Sequence, residues 1–204
     1  MRIRKVENRD DGRPLVLLFL GYAFTPESVS HLSAGPYDLA VVHDYRNLDF
    51  DRGFLENRKI ILVAWSMGVW AANKVLADIP LQSAVAINGT PFGIHDRFGI
   101  PRETFRKTID DFDFELFKKW CFLADLSKTD FPFSENPIEE LRALYEASSE
   151  PVSQNIAWTK AIVSKKDLVF PPKASECFEC PVRILPAPHY PFFKLRSVEE
   201  ILAF

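Results

Sequence analysis

Between Lys59 and Trp70 the chain reads Lys-Ile-Ile-Leu-Val-Ala-Trp-Ser-Met-Gly-Val-Trp, a run that leaves little freedom in what it can become. Ile60 to Ala64 is continuously apolar, of strand length and rich in branched side chains, as a strand buried on both faces requires. Val69 to Asp78 then carries helical spacing, with Trp70, Ala71, Lys74 and Val75 on the pattern. Ser66 therefore falls on a tight strand-to-helix turn, which lifts a hydroxyl above the sheet and sets it against the free N–H groups of a helix N-terminus. Ala64 and Gly68, two positions either side, are small enough for neighbouring strands and the helix to approach. The expected architecture is α/β, a mostly parallel sheet flanked by helices. Any doubly wound protein can supply such a turn without chemistry, so Ser66 as a nucleophile needs partners elsewhere.

Two candidates follow in order. Thr159 to Ser164 reads as a short strand, and the loop after it carries Asp167 ahead of Pro171 and Pro172. Pro181 to Leu185 reads as another, followed by Pro186-Ala-Pro-His-Tyr-Pro-Phe-Phe193, which contains His189. The order Ser66, Asp167, His189 is that of α/β-hydrolases, and each residue follows a predicted strand, so one sheet edge can gather all three. The ordinary alternatives are a turn-forming aspartate and a surface histidine between prolines. His31, His43 and His95 do not stand after a late strand and read as structural or peripheral.

An acyl-transfer site also needs donors for a developing oxyanion. Leu15 to Leu20 is a second buried strand that runs into Gly21-Tyr22-Ala23-Phe24, where the glycine lets backbone approach a substrate. The main-chain N–H of Tyr22 is one candidate donor, and that of Met67, the residue after the nucleophile, is the other. Trp65 and Trp70 flank the turn and are expected, with Gly21, to line the substrate cavity.

Elsewhere, Arg2 to Val6 is expected to pair with Leu15 to Leu20 as a hairpin across Asp11-Gly12. Tyr37 to His43, Lys59 to Ala64 and Ser83 to Asn88 read as further strands joined by helical connections. From about 94 to 151 the strand pattern gives way to helical spacing over Pro101 to Phe112, Phe114 to Ala124 and Pro137 to Ala147. Asn136, Pro137 and Glu139 form a capping-box pattern. One domain is expected over 1–204, with a core of about 1–93 and 152–204 and a helical lid inserted at about 94–151. Phe98, Phe105, Phe112, Phe114, Phe117, Trp120, Phe122, Phe131 and Phe133 make that insertion aromatic; most such rings pack a lid onto its core, and as a group they suit an apolar acyl pocket.

The Phe-Leu-Gly-Tyr-Ala turn, the Trp-Ser-Met-Gly elbow with Trp70 behind it, the compact length and the ending His-Tyr-Pro-Phe-Phe together resemble the BioG family of pimeloyl-acyl-carrier-protein methyl ester esterases. The resemblance spans nearly the whole chain, with Ala64 where G-x-S-x-G has glycine and Leu20-Gly21 where many hydrolases have His-Gly. It implies a compact α/β-hydrolase acting in biotin synthesis, with Ser66, Asp167 and His189 as the triad. It also implies an acyl-carrier protein as partner. An acidic carrier would be drawn to Arg97, Arg102, Arg106 and Lys107, although a solvated helix face is their ordinary explanation. A broader short-chain esterase or thioesterase, or a non-catalytic binding protein on the same scaffold, stays open.

Composition narrows the remaining classes. With 204 residues, 47% hydrophobic and 26% charged, the chain can bury one substantial core. The net charge of -3 and the lack of a long basic run give no support for nucleic-acid binding. No apolar run has membrane-span length and no leader stands out, so a cytoplasmic location is expected. Cys177-Phe-Glu-Cys180 has no second pair, with Cys121 far away, so neither a metal nor a redox cofactor is expected. Oligomeric state is not legible.

Overall fold

A computed structural model describes residues 1–9, 11–149 and 154–203. The strands are β1 (Arg2–Glu7), β2 (Leu15–Phe19), β3 (Asp38–His43), β4 (Ile60–Trp65), β5 (Leu81–Ile87), β6 (Lys160–Lys166) and β7 (Val182–Pro188). They form one sheet in the order β1-β3-β2-β4-β5-β6-β7. Every neighbouring pair is parallel except β1 and β3. The central strands are apolar throughout because both faces are covered: all five residues of β2 and all six of β4 are buried.

The expected hairpin of β1 with β2 does not form; β1 pairs antiparallel with β3. Both edges of β2 are taken, by β3 and β4, with Leu17 between Ala40 and Leu62. A charged, largely exposed segment such as Arg2–Glu7 suits the edge it occupies. Helical connections are also fewer than expected. Helix α1 (Met67–Val75) links β4 to β5, but the β2–β3, β3–β4 and β6–β7 links carry 3₁₀ turns, at Pro26–Val29, Gly53–Leu55 and Pro172–Cys177. A short helix, Val198–Leu202, lies near the end.

Between β5 and β6 come α2 (Arg102–Asp110), α3 (Phe114–Phe122) and α4 (Pro137–Ala147). The expected boundary near Pro151 lies outside the described residues. Asp113 caps α3, its side chain accepting from the Leu116 N–H at 2.9 Å. The capping box expected for α4 is absent: Asn136 makes no side-chain cap bond, and Glu139 instead faces Arg46 at 3.7 Å. Pro137 still opens the helix, where its missing N–H costs nothing.

Aromatic rings fasten this helical segment to the sheet. Phe24 stands at the centre, with ring centroids 4.5 Å from Trp65, 5.8 Å from Phe122, 5.3 Å from Phe133 and 5.7 Å from Tyr190. Polar attachment includes the Ser134 N–H to the Ala23 carbonyl and the Tyr190 N–H to the Cys121 carbonyl, both at 2.9 Å, and one buried carboxylate. Glu140 on α4 is 1% exposed and accepts from the N–H groups of Ala23 at 3.2 Å and Tyr45 at 3.1 Å, in the turns after β2 and β3. Burial pushes its carboxyl up to about 7 from an ordinary 4.5; nearby Asp44 acts in the same direction, against the two backbone bonds.

That shift has a sign. Between 4.5 and about 7 the folded protein holds a proton the unfolded chain has released, so stability falls as pH rises. The contribution is fully present below 4.5 and is lost as pH passes through about 7. Urea unfolding of wild type and Glu140→Gln from pH 4.5 to 8 should show the wild type losing about 3 kcal/mol relative to the variant. Parallel curves would contradict the assignment.

Candidate active site

Ser66 joins β4 to α1 with φ 57° and ψ −131°, a conformation that side-chain-bearing residues seldom adopt and that costs roughly 1–3 kcal/mol. Its surroundings hold it there. The Ser66 N–H donates to the Ile87 carbonyl at 2.9 Å, and its carbonyl accepts from the Val69 N–H at 3.0 Å. The turn also needs bare backbone beside it. A Cβ at Gly68 would run into the carbonyls of Phe19 and Leu20, and one at Gly89 into the Ser66 carbonyl. At Gly21 an added Cβ would lie 3.0 Å from the Ser66 Cβ and from the Trp65 ring, a tight fit that would make those side chains shift.

Asp167 follows β6 and divides its two oxygens between two tasks. Oδ1 accepts from the N–H groups of Val169 at 2.8 Å and Phe170 at 2.9 Å, closing the turn. Oδ2 faces Nδ1 of His189, just after β7, at 2.8 Å. With the Nδ1 proton directed to that carboxylate, Nε2 presents its lone pair to Ser66 Oγ, 2.9 Å away. His189 is 1% exposed and Asp167 7%, so the three groups interact largely out of water.

The backbone of His189 is anchored as firmly as its ring. Its carbonyl accepts from Trp65 Nε1 at 3.0 Å and Asn88 Nδ2 at 2.7 Å. Asn88, just past β5 at φ 45°, also donates to Ser164 Oγ at 2.8 Å and accepts from the Ser164 N–H at 2.6 Å. One amide thus ties together the ends of β5, β6 and β7. Sequence reasoning missed it. Its visible signal was an asparagine at a strand end before glycine, a position usually read as a turn.

A cavity of about 150 Å³ opens on Ser66, with Tyr22, Met67 and Val169 on the core side and Phe105, Phe117, Trp120 and Leu141 on the helical side. Met67 is the first residue of α1, so its N–H has no intrahelical acceptor. Tyr22 lies in the turn after β2, on the same cavity wall. Tyr22 and Met67 thus both line the cavity that opens on Ser66. Gly21 does not line this cavity, and neither do Trp65 and Trp70, contrary to expectation. Both tryptophans are fully buried: Trp65 holds the His189 carbonyl, and Trp70 packs where a Cβ on Gly93 would lie 2.7 Å from its ring.

The remaining candidates have local partners. Arg97 lies over the Phe98 ring and Arg102 over Tyr145, while Arg106 faces Asp110 at 3.6 Å and Lys107 faces Glu103 at 2.9 Å. His31 bonds the Phe192 carbonyl and His95 accepts from Arg97 and Phe98 N–H groups; neither bonds Ser66. Burial pushes the Cys177 thiol up to about 12, away from reactive thiolate character. No cluster of three metal-ligating side chains occurs among the described residues.

Comparison with known proteins gives a consistent result. Residues 1–200 match the family model for pimeloyl-ACP methyl esterase BioG. The crystal structure of BioG from Haemophilus influenzae superposes with a TM-score of 0.90 at 31% identity, covering 98% of this chain and 99% of that one. A malonyl-[acyl-carrier protein] O-methyltransferase of Bacteroides fragilis is 36% identical over 173 residues, 79% of this chain. The match spans only 35% of that relative's length. A lipase-esterase related protein of Clostridium acetobutylicum, TM-score 0.64 at 16% identity over 94% of this chain and 93% of its own, shares the fold. The architecture is thus an α/β-hydrolase fold.

One polar atom in the cavity wall has no partner. The Tyr22 hydroxyl is buried and makes no hydrogen bond among the described residues, and burial pushes its ionisation upward. Removing an unsatisfied buried hydroxyl takes away a desolvation cost. Tyr22→Phe should therefore unfold at an equal or higher temperature than wild type in calorimetry, a gain of up to about 1 kcal/mol. A clear fall in Tm would show that the hydroxyl is satisfied in solution.

Proposed function

The chain belongs to the BioG family of pimeloyl-ACP methyl esterases, and from that premise we propose that it is a serine carboxylesterase cleaving the methyl ester of pimeloyl-acyl-carrier protein in biotin synthesis. The observation that carries this reading is the unbroken hydrogen-bonded chain from Asp167 through His189 to Ser66. His189 Nε2 takes the Ser66 proton as Oγ attacks the ester carbonyl carbon, and Asp167 stabilises the imidazolium that results. The N–H groups of Tyr22 and Met67 receive the negative oxygen of the tetrahedral intermediate.

Collapse breaks the bond to the methoxy oxygen, which leaves as methanol with the proton from His189. Water, deprotonated by the same nitrogen, then attacks the acyl-enzyme and frees the ω-carboxylate and Ser66. The chemistry assigned to these side chains requires neither metal nor redox cofactor. The strained backbone at Ser66 keeps the nucleophile fixed while both half-reactions proceed.

The helical segment serves as the lid. Its α2 and α3 line the cavity with Phe105, Phe117 and Trp120, apolar surface suited to methylene groups. Leu168, 58% exposed, lies at the cavity margin, where an acyl chain tethered to a carrier enters. The carrier docks on α2, the helix that gives Thr104, Phe105 and Thr108 to the cavity and carries Arg102, Arg106 and Lys107. The pairs to Asp110 and Glu103 are solvent-exposed, so each is worth little and yields readily to a partner's carboxylates. Among the described residues no helix is long and apolar enough to cross a membrane, and the reaction is assigned to the cytoplasm.

Hydrolysis of carrier-bound pimeloyl methyl ester, followed by mass spectrometry of the carrier, tests the assignment. Wild type should convert it with far higher kcat/KM than a small aryl ester, and Ser66→Ala should lose roughly 10³-fold or more. Equal preference for the aryl ester would point to a broad esterase; full activity in Ser66→Ala would remove the serine mechanism. For docking, the double variant Arg106→Glu with Lys107→Glu should raise KM several-fold for the carrier substrate and leave the aryl ester unaffected. Identical effects on both substrates would argue against docking on α2.

A further inference from the structure

Glu140 is an expensive residue to bury. It is 1% exposed, and among the described residues no lysine, arginine or histidine bonds to it; neighbouring Arg46 pairs instead with Asp44 and Glu139. A buried carboxyl that bonds no cation is tolerated where it is held neutral or its oxygens are used as acceptors. Both oxygens are used: Oε2 accepts from Ala23 and Oε1 from Tyr45. An apolar residue of similar size would leave those two N–H groups buried and unpaired.

The Ala23 bond bears on the chemistry. Gly21, Tyr22 and Ala23 make the turn that contains the Tyr22 N–H assigned above to the oxyanion, closed by the Phe24 N–H to the Gly21 carbonyl at 3.3 Å. Ala23 sits at φ 64°, in the left-handed region that alanine seldom occupies. Relaxing Ala23 to an ordinary conformation would rotate the Tyr22–Ala23 peptide plane, and the Gly21–Tyr22 plane, which carries the Tyr22 N–H and meets it at the Tyr22 Cα, would be displaced in turn. The hydrogen bond to Glu140 opposes that relaxation. The next residue along α4, Leu141, lines the cavity that contains Ser66.

We propose that Glu140 is a positioning residue for the oxyanion site: its side chain, reaching from α4, locks the Gly21-Tyr22-Ala23 turn so that the Tyr22 N–H is held ready for the transition state. The proposal rests on the serine-esterase reading above and adds to it a residue that touches no reacting atom. It also gives α4 two tasks, since one face lines the acyl cavity while Glu140 fixes a donor at its rim.

Glu140→Gln keeps the volume but turns one acceptor into a donor, and Glu140→Asp is one methylene too short to reach both N–H groups. Each variant is assayed on the methyl ester substrate, with active sites counted by fluorophosphonate titration so that unfolded protein does not enter kcat. Leu144→Ala, a fully buried position on the same helix, serves as a destabilised control. The expected result is a fall in kcat of about 10- to 100-fold in both Glu140 variants, with KM within about twofold. The affinity of a trifluoromethyl ketone analogue should fall in parallel, while Leu144→Ala keeps near-normal kcat per titrated site. Normal kcat per site in the Glu140 variants, or a loss confined to KM, overturns the proposal. Failure of the underlying reading looks different: wild type would take up no fluorophosphonate, or Ser66→Ala would retain activity.

Discussion

The geometry of the candidate site depends on His189 bridging Asp167 and Ser66. The sheet alone does not deliver that bridge. Strand β7, which precedes His189, lies three positions from β4, which precedes Ser66. At about 4.8 Å per strand the gap is about 14 Å, more than an imidazole side chain spans. Because His189 directly follows β7, the strand end itself must bend toward β4, and two side-chain donors secure it there. Asn88 and Trp65 both bond the His189 carbonyl, so the histidine is held by its backbone as well as by its ring.

Much of this was legible in the sequence because it was written in local pattern. Unbroken apolar runs identified the central strands, and residues following strands must emerge at one edge of a parallel sheet. What was missed depends on contacts between segments distant in the chain. The Asp11-Gly12 turn suggested a hairpin, but β2 has its partners in β3 and β4, and the fully buried composition of β2 already marked it as central. Trp65 and Trp70 stand beside Ser66 in sequence, yet residues adjacent to an elbow point into the core, and both serve there. Glu140 and Asn88 look like ordinary surface and turn residues until their partners, 117 and 101 positions away, are known.

The buried polar groups share a logic. Asn88, Asp167 and Glu140 each satisfy backbone N–H groups at the C-terminal ends of strands, where chain leaving a sheet lacks ladder partners. Groups recruited to close those turns also fix the histidine, the carboxylate facing it and the segment bearing Tyr22. Folding requirements and site geometry are met by the same atoms. This explains why the helical segment cannot be treated as a loose cover: through Glu140 and the ring cluster around Phe24 it is part of what shapes the sheet's working edge.

The central claim is that the hydroxyl at the β4–α1 turn is the activated nucleophile and that the imidazole opposite activates it. Treating the protein with a fluorophosphonate and sequencing its peptides by mass spectrometry addresses this directly. The account predicts one adduct, on Ser66, formed at a rate that collapses in His189→Ala. An adduct on another residue, or unchanged labelling of Ser66 without the histidine, would contradict it.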